Sequence, residues 1–183
     1  MTPEEIRSEE KEFQGDCEFY PPFLVEEFRK GREERRTREK TGKRIPYNPT
    51  KITDFLPLIT NIWVISNKDY QVQYWGKQGQ WGDNYMETME EFLGDVEAVL
   101  DTSDYAVEMT LKQSEMLQKL YYMVEDFEDD PNTPDDPGYG VNDAELIKAP
   151  KWEKIRQYAK LVYEELSGDD LDAWEKSRAL AKS

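Results

Sequence analysis

The distribution of apolar positions divides the chain into segments of different period. Tyr85, Met89, Phe92, Leu93, Val96, Val99 and Leu100 recur at helical spacing and make one apolar stripe. Met116, Leu117, Leu120, Tyr121, Val124 and Phe127 repeat that spacing behind Thr110, whose hydroxyl suits a helix N-cap. Trp152, Ile155, Ala159, Val162, Tyr163 and Leu166 define another amphipathic helix, stopped by Gly168, and Asp169 is placed to cap a last helix through Leu171, Trp174 and Leu180. Near the start, Thr2-Pro3-Glu4-Glu5 has the form of a helix N-terminus and predicts a short helix to about Phe13. After the Tyr20-Pro21-Pro22 break, Phe23, Leu24 and Phe28 open a further helix to about Lys40.

Between Ile62 and Trp75 the pattern differs. Ile62-Trp63-Val64-Ile65 and Tyr70-Gln71-Val72-Gln73-Tyr74-Trp75 are rich in β-branched and aromatic residues, with Ser66-Asn67-Lys68-Asp69 between them. This predicts an antiparallel β-hairpin. The expected fold class is therefore α+β: a mostly helical single domain with one small hairpin. Residues 1–45 form an N-terminal helical segment, and 46–183 hold the hairpin and helical core. From Glu128 to Glu145 there are seven acids, no base, three prolines and two glycines, which predicts an exposed acidic loop over 128–145.

Charge adds more to this picture than composition does. The chain of 183 residues has 40 acidic and 24 basic residues, and nine of the basic ones lie between Arg29 and Arg44, among three glutamates. Elsewhere 37 acids face 15 bases. Glu26 and Lys30, Glu34 and Arg38, and Glu39 and Lys43 are spaced for i to i+4 pairing along this basic helix. Only 37% of residues are apolar, yet five Trp, eleven Tyr and seven Phe supply ring area for a core. A surface this negative repels nucleic acid phosphate and anionic lipid and attracts cationic proteins.

The inventory of reactive groups argues against catalysis. Histidine is absent, and the lone Cys17 lies between Asp16 and Glu18, which disfavour a thiolate. A carboxylate pair for glycoside hydrolysis has no distinguishing spacing among so many acids. The Gly76-x-x-Gly79-x-x-Gly82 loop lacks the Lys-Ser/Thr ending of a phosphate-binding loop and reads as a connector. Asp130 and Asn132 match two positions of a calcium loop, but Pro134 and Asp135 break it, so no metal or other cofactor is expected. Trp63, Trp75 and Trp81 read as core rather than as a carbohydrate platform. The cysteine count requires no oxidising compartment, and no targeting or membrane-spanning segment is evident, which makes the cytoplasm the expected location.

Ile62-Trp63-Val64, the helix carrying Phe92-Leu93-Gly94-Asp95 through Val99-Leu100, the helix from Gln113 to Val124, the acidic spacer and Pro150-Lys151-Trp152-Glu153-Lys154-Ile155 occur in an order that resembles small bacterial immunity proteins accompanying polymorphic toxins. The resemblance covers roughly Ile62 to Leu166. It implies a toxin inhibitor without supplying binding residues. The residues themselves point to Glu87, Glu90, Glu91 and Glu97, with Asp129, Asp130, Asp135 and Asp136 from the loop, as the face meeting a basic protein. The alternatives are a phage or bacterial regulatory protein that binds nucleic acid, or a nucleic-acid-binding protein, through the basic helix 29–44, and a hydrolase with two buried acids in a deep pocket.

Overall fold

The computed structural model describes residues 18–43, 48–75, 84–101, 107–135 and 141–181, together with Ser8 and Lys11. Among these the protein is all-helical, and two compact units emerge, residues 49–167 and residues 1–48 with 168–183.

In the second of these units, α1 (Pro22–Thr41) starts with proline where a missing N–H costs nothing, and Gly42 ends it at φ 65°. The Phe23 amide at its start donates to Asp169 Oδ2 at 3.0 Å. Leu24 is buried, whereas from Arg29 onward every residue is exposed except the half-buried Arg32 and Arg36. Arg29 pairs with Glu26 and Lys30 with Glu27 on this helix, at i to i+3. The last helix of the chain, Leu171–Ala181, is capped by Asp170 rather than Asp169, through the Ala173 amide at 2.8 Å. On it the Arg178 guanidinium lies 4.6 Å from the Trp174 ring centroid. The expected helix to Phe13, and Cys17, lie outside the described residues.

The unit 49–167 is built on α2 (Leu56–Ser66), followed by α3 (Lys68–Tyr74), α4 (Tyr85–Leu100), α5 (Leu111–Glu128), the single turn α6 (Asp143–Leu146) and α7 (Pro150–Ser167); Leu171–Ala181 above is α8. Four helices close a ring: α2 packs on α7, α7 on α5, α5 on α4 and α4 on α2. The α5–α7 seam is antiparallel with a constant offset, since Lys112 meets Glu165, Lys119 lies over the Tyr158 ring and Lys151 meets Asp126. Tyr85 bonds Glu128, and Tyr121 bonds Glu97, so α4 and α5 also run antiparallel. Thr110 and Gln113 form a reciprocal capping box at the start of α5.

No β-hairpin exists where one was expected. Ile62 to Ile65 lies inside α2, and Tyr70 to Tyr74 inside α3. The α+β class is therefore corrected to all-helical among the described residues, where the sole strand-like pairing is an isolated bridge between Lys51 and Glu108. The physical reason is burial. Leu58, Ile59, Asn61, Ile62, Trp63, Val64 and Ile65 are all buried, so α2 is apolar around most of its circumference and shows no amphipathic period. A short apolar run of that kind reads equally as strand or buried helix, and tertiary contacts outweigh the β preference of Ile and Val. Pro57 stands in the first turn of α2, and the Asn67 side chain, expected in a hairpin turn, accepts from the Tyr70 amide and caps α3.

At one end of the ring Trp75, Tyr85, Phe127 and Trp152 pack together, with Trp152 centroids 5.3 Å from both Tyr85 and Phe127 and 5.9 Å from Trp75. Trp63 and Trp75 are core, as expected; Trp81 and the glycine loop lie outside the described residues. Beside the rings sits Gln71, fully buried. Its Nε2 donates to the Val64 and Ile65 carbonyls at 2.8 Å each, and its Oε1 accepts from Trp152 Nε1 at 3.1 Å and Arg156 Nη1 at 3.0 Å. Arg156, also buried, reaches the Ile147 carbonyl at 2.7 Å. The Val64 carbonyl also holds the Asn67 amide at 3.2 Å, but Gln71→Ala strands two donors and the Ile65 carbonyl away from water. It should lower the unfolding free energy by ~3 kcal/mol in urea denaturation, whereas Gln73→Ala on the exposed side of α3 stays within ~0.5 kcal/mol of the parent.

Candidate acidic interface

The carboxylates singled out from sequence are placed unequally. Glu87, Glu90, Glu91 and Glu97 all occupy the exposed side of α4, as its buried stripe of Tyr85, Met89, Phe92, Val96 and Val99 requires. The edges of this ridge touch neighbouring helices. Glu91 accepts from Asn61 of α2 at 3.3 Å, and Glu97 accepts from the Tyr121 hydroxyl of α5 at 2.8 Å.

Asp129 is the exposed C-cap of α5, and Asp135 is exposed beyond it. Asp130 is already engaged. It accepts from the Asn132 amide and side chain and bonds Lys151 at 3.0 Å, and these contacts, the Asn132 amide first, hold its carboxyl down at about 2. Asp130 therefore stabilises a turn and anchors the start of α7. Asp136 lies outside the described residues. The expectation of a wholly exposed loop over 128–145 is corrected near its far end, where Asp143 is buried and its Oδ2 accepts from the Tyr85 amide at the start of α4. A carboxylate there favours the positive end of the helix dipole.

Carboxylates beyond those expected complete the surface. Glu115, Gln118, Tyr122, Glu125 and Asp129 follow at i, i+3, i+7, i+10 and i+14, one straight outer stripe on α5 opposite Leu117, Leu120, Val124 and Phe127. An open groove runs along this stripe, lined also by Met123 and Asp126, and a second depression between α4 and α5 is lined by Glu97, Asp101, Gln118, Tyr121 and Tyr122. The Tyr121 hydroxyl lies 2.8 Å from Glu97 and 2.9 Å from Glu125, and those two acceptors push its pKa up, the bond to Glu97 most. The signal for this stripe is in the sequence. It is the polar complement of the apolar period that marks the core side of α5.

Neither α4 nor α5 carries a base in its last turn. Acids at a helix C-terminus add to the negative end of the dipole, an arrangement that costs stability unless a cation answers it. Lys151 is one such cation, 2.9 Å from Asp126 and 3.0 Å from Asp130, and its own pKa is raised by them, by Asp126 first.

Among the described residues no set of three or more acids, histidines or cysteines is gathered to hold a metal ion, and no helix is long and apolar enough to cross a membrane. No family model, curated protein or solved structure matches this chain.

Asp95 has a different character. It is half-buried on α4, one turn from Glu91, and its pKa rises from 3.8 to about 6, through desolvation first and the Glu91 charge second. A folded pKa above the unfolded one means that protonated Asp95 favours the fold, an advantage complete below about pH 4 and lost as pH rises through 6. Asp95→Asn should therefore be more stable than the parent at about pH 7.5, by ~1 kcal/mol once solvent screening is allowed for. The difference should shrink through pH 6 and vanish near pH 4. Paired urea titrations across that range read it directly.

Proposed function

We propose that this protein is a non-enzymatic inhibitor of the immunity type, which neutralises a basic toxin by covering its cationic surface with the acidic face of α4 and α5. The observation that carries this reading is the excess of carboxylates on the outer sides of two packed antiparallel helices, Glu87, Glu90 and Glu97 on α4 and Glu115, Glu125 and Asp129 on α5. A rigid helix pair presents these charges in place, so little ordering entropy is lost on binding, and their field steers a cationic partner at the encounter. A toxin that cleaves nucleic acid must expose a basic cleft for phosphate, which makes a nuclease domain the partner class that best suits this face. The likeness to immunity proteins supports the same reading from Phe92 to Leu166, whereas Ile62-Trp63-Val64, expected there as a strand, is helical. The cytoplasm, where such a toxin would be neutralised, is the compartment this role implies.

The nucleic-acid alternative is weaker. On α1 the Arg29 and Lys30 charges are answered by Glu26 and Glu27, which reduces what the basic stretch offers to phosphate. A carboxylate-pair hydrolase needs desolvated acids in a deep pocket, and the grooves on α4 and α5 are open and lined by solvated acids.

The test pairs the protein with cationic toxin nuclease domains, scoring both rescue of growth on co-expression and association rate against salt. For a pair that binds, reversing Glu90, Glu97, Asp129 and Asp135 to lysine should slow association at low salt by ~10-fold or more and flatten its salt dependence, with the circular dichroism spectrum unchanged. Association that keeps its speed and salt slope after reversal would sink the proposal.

A further inference from the structure

Tyr122 is an aromatic ring standing in the middle of a row of acids, 58% exposed on the outer stripe of α5. The helix does not need it for packing, since Leu117, Leu120, Val124 and Phe127 supply the buried face and the neighbouring Tyr121 hydroxyl, between Glu97 and Glu125, has its one proton for either of them. Its ring packs edge-on against Tyr121 with centroids 5.5 Å apart at 81°. Helical spacing sets Gln118 one turn before it and Glu125 and Asp126 one turn after it. The lysine lining the same groove, Lys119, places its ammonium 4.5 Å from the Tyr158 ring on the α7 side. Among the described residues no ion pair engages Glu115 or Asp129.

We infer that this outer face of α5, where among the described residues Glu125 has only a neutral hydroxyl partner and Glu115 and Asp129 have no ion pair, is an arginine-selective docking surface, in which a guanidinium of the cationic partner stacks on Tyr122 while its N–H groups bond those carboxylates. The inference rests on the binding role proposed above and adds which side chain the partner must bring. Charge complementarity calls for a cation on this face, and the aromatic decides between the two cations proteins have. A guanidinium is planar, weakly hydrated and five-donor, so it can lie on a ring and bond a carboxylate at once; an ammonium is compact, strongly hydrated and gains less from the ring. Within this chain Arg178 lies over Trp174 and Lys119 over Tyr158, so both cations meet rings here, and the preference at Tyr122 comes from the guanidinium's ability to bond carboxylates while it stacks. Glu115, Gln118, Glu125 and Asp129 extend the stripe in both directions, which fits an arginine-bearing segment laid along α5 rather than a single side chain.

The experiment titrates the full chain with synthetic nona-arginine and nona-lysine at about 20 mM salt, by calorimetry and by amide chemical shifts. The expected result is tighter binding of nona-arginine by about 3-fold or more, with shifts centred on Gln118 to Asp129. Tyr122→Ala should remove the preference by weakening nona-arginine to the nona-lysine level, and Tyr122→Phe should retain it. Equal affinity for the two peptides, or a preference that survives Tyr122→Ala, overturns the inference while leaving the acidic-face reading intact. Failure of both peptides to bind overturns both. Sedimentation of the unmodified chain at the same salt tests the other occupant: self-association abolished by Tyr122→Ala would assign the face to a second copy and overturn the inference.

Discussion

The unit 49–167 depends on one buried amide. Gln71 is placed where α2, α3 and α7 meet, and all four of its hydrogen-bonding positions are used: two donors to the end of α2, two acceptor sites to Trp152 and Arg156 of α7. The two carbonyls it reaches belong to the C-terminal turn of α2; Val64 also accepts from the Asn67 amide, but at Ile65 intrahelical partners run out, and a buried carbonyl is expensive to leave unmet. A buried arginine is costlier still, and Arg156 is accommodated because Gln71, the Ile147 carbonyl and Glu153 at 3.3 Å receive it. Desolvation at this point lowers the Arg156 pKa, and the nearby Glu153 charge opposes that shift. The network therefore ties α2, α3, the turn after α6 and α7 into one arrangement that an apolar core alone would leave free to slip.

From that anchor the surface follows. With α2 enclosed, α4 and α5 must turn their polar sides outward, and since most charged positions there are acidic, packing converts a one-dimensional excess of negative charge into a two-dimensional one. The Tyr121 hydroxyl, placed between Glu97 and Glu125, joins the two helices across the depression between them. Acids at both helix C-termini and a half-buried Asp95 beside Glu91 are local arrangements that oppose stability. The charge of α1 is organised differently, with glutamates interleaved among its bases and only Leu24 fully buried along its length.

Amphipathic helices were legible because each has one wet and one dry side. The stripe of α7, the Thr110 cap and the Gly168 stop stand where the periodicity puts them, and so do the stripes of α4 and α5, except that Leu93, Leu100, Met116 and Tyr121 lie half-buried at their margins. The acidic ridge on α4 was legible for the same reason, being the complement of a buried stripe. The stripe Glu115 to Asp129 on α5 is equally periodic, but its acids are spread over four turns and are outweighed, in one dimension, by the dense run after Glu128. Asp130 looked like a free surface acid because its partner, Lys151, is distant in sequence and adjacent only through the antiparallel α5–α7 seam.

By itself, the order of residues determined the helical periods, the strong negative excess and its complement of basic residues in one stretch, because these are properties of neighbours along the chain. Tertiary structure decided the rest. It made a helix of Ile62 to Ile65, since burial on every side removes the period by which strand and helix are told apart. It also decided which acids remain exposed and which are occupied by a turn, a cap or a cation, since a carboxylate's role depends on what lies within about 3 Å of it in space.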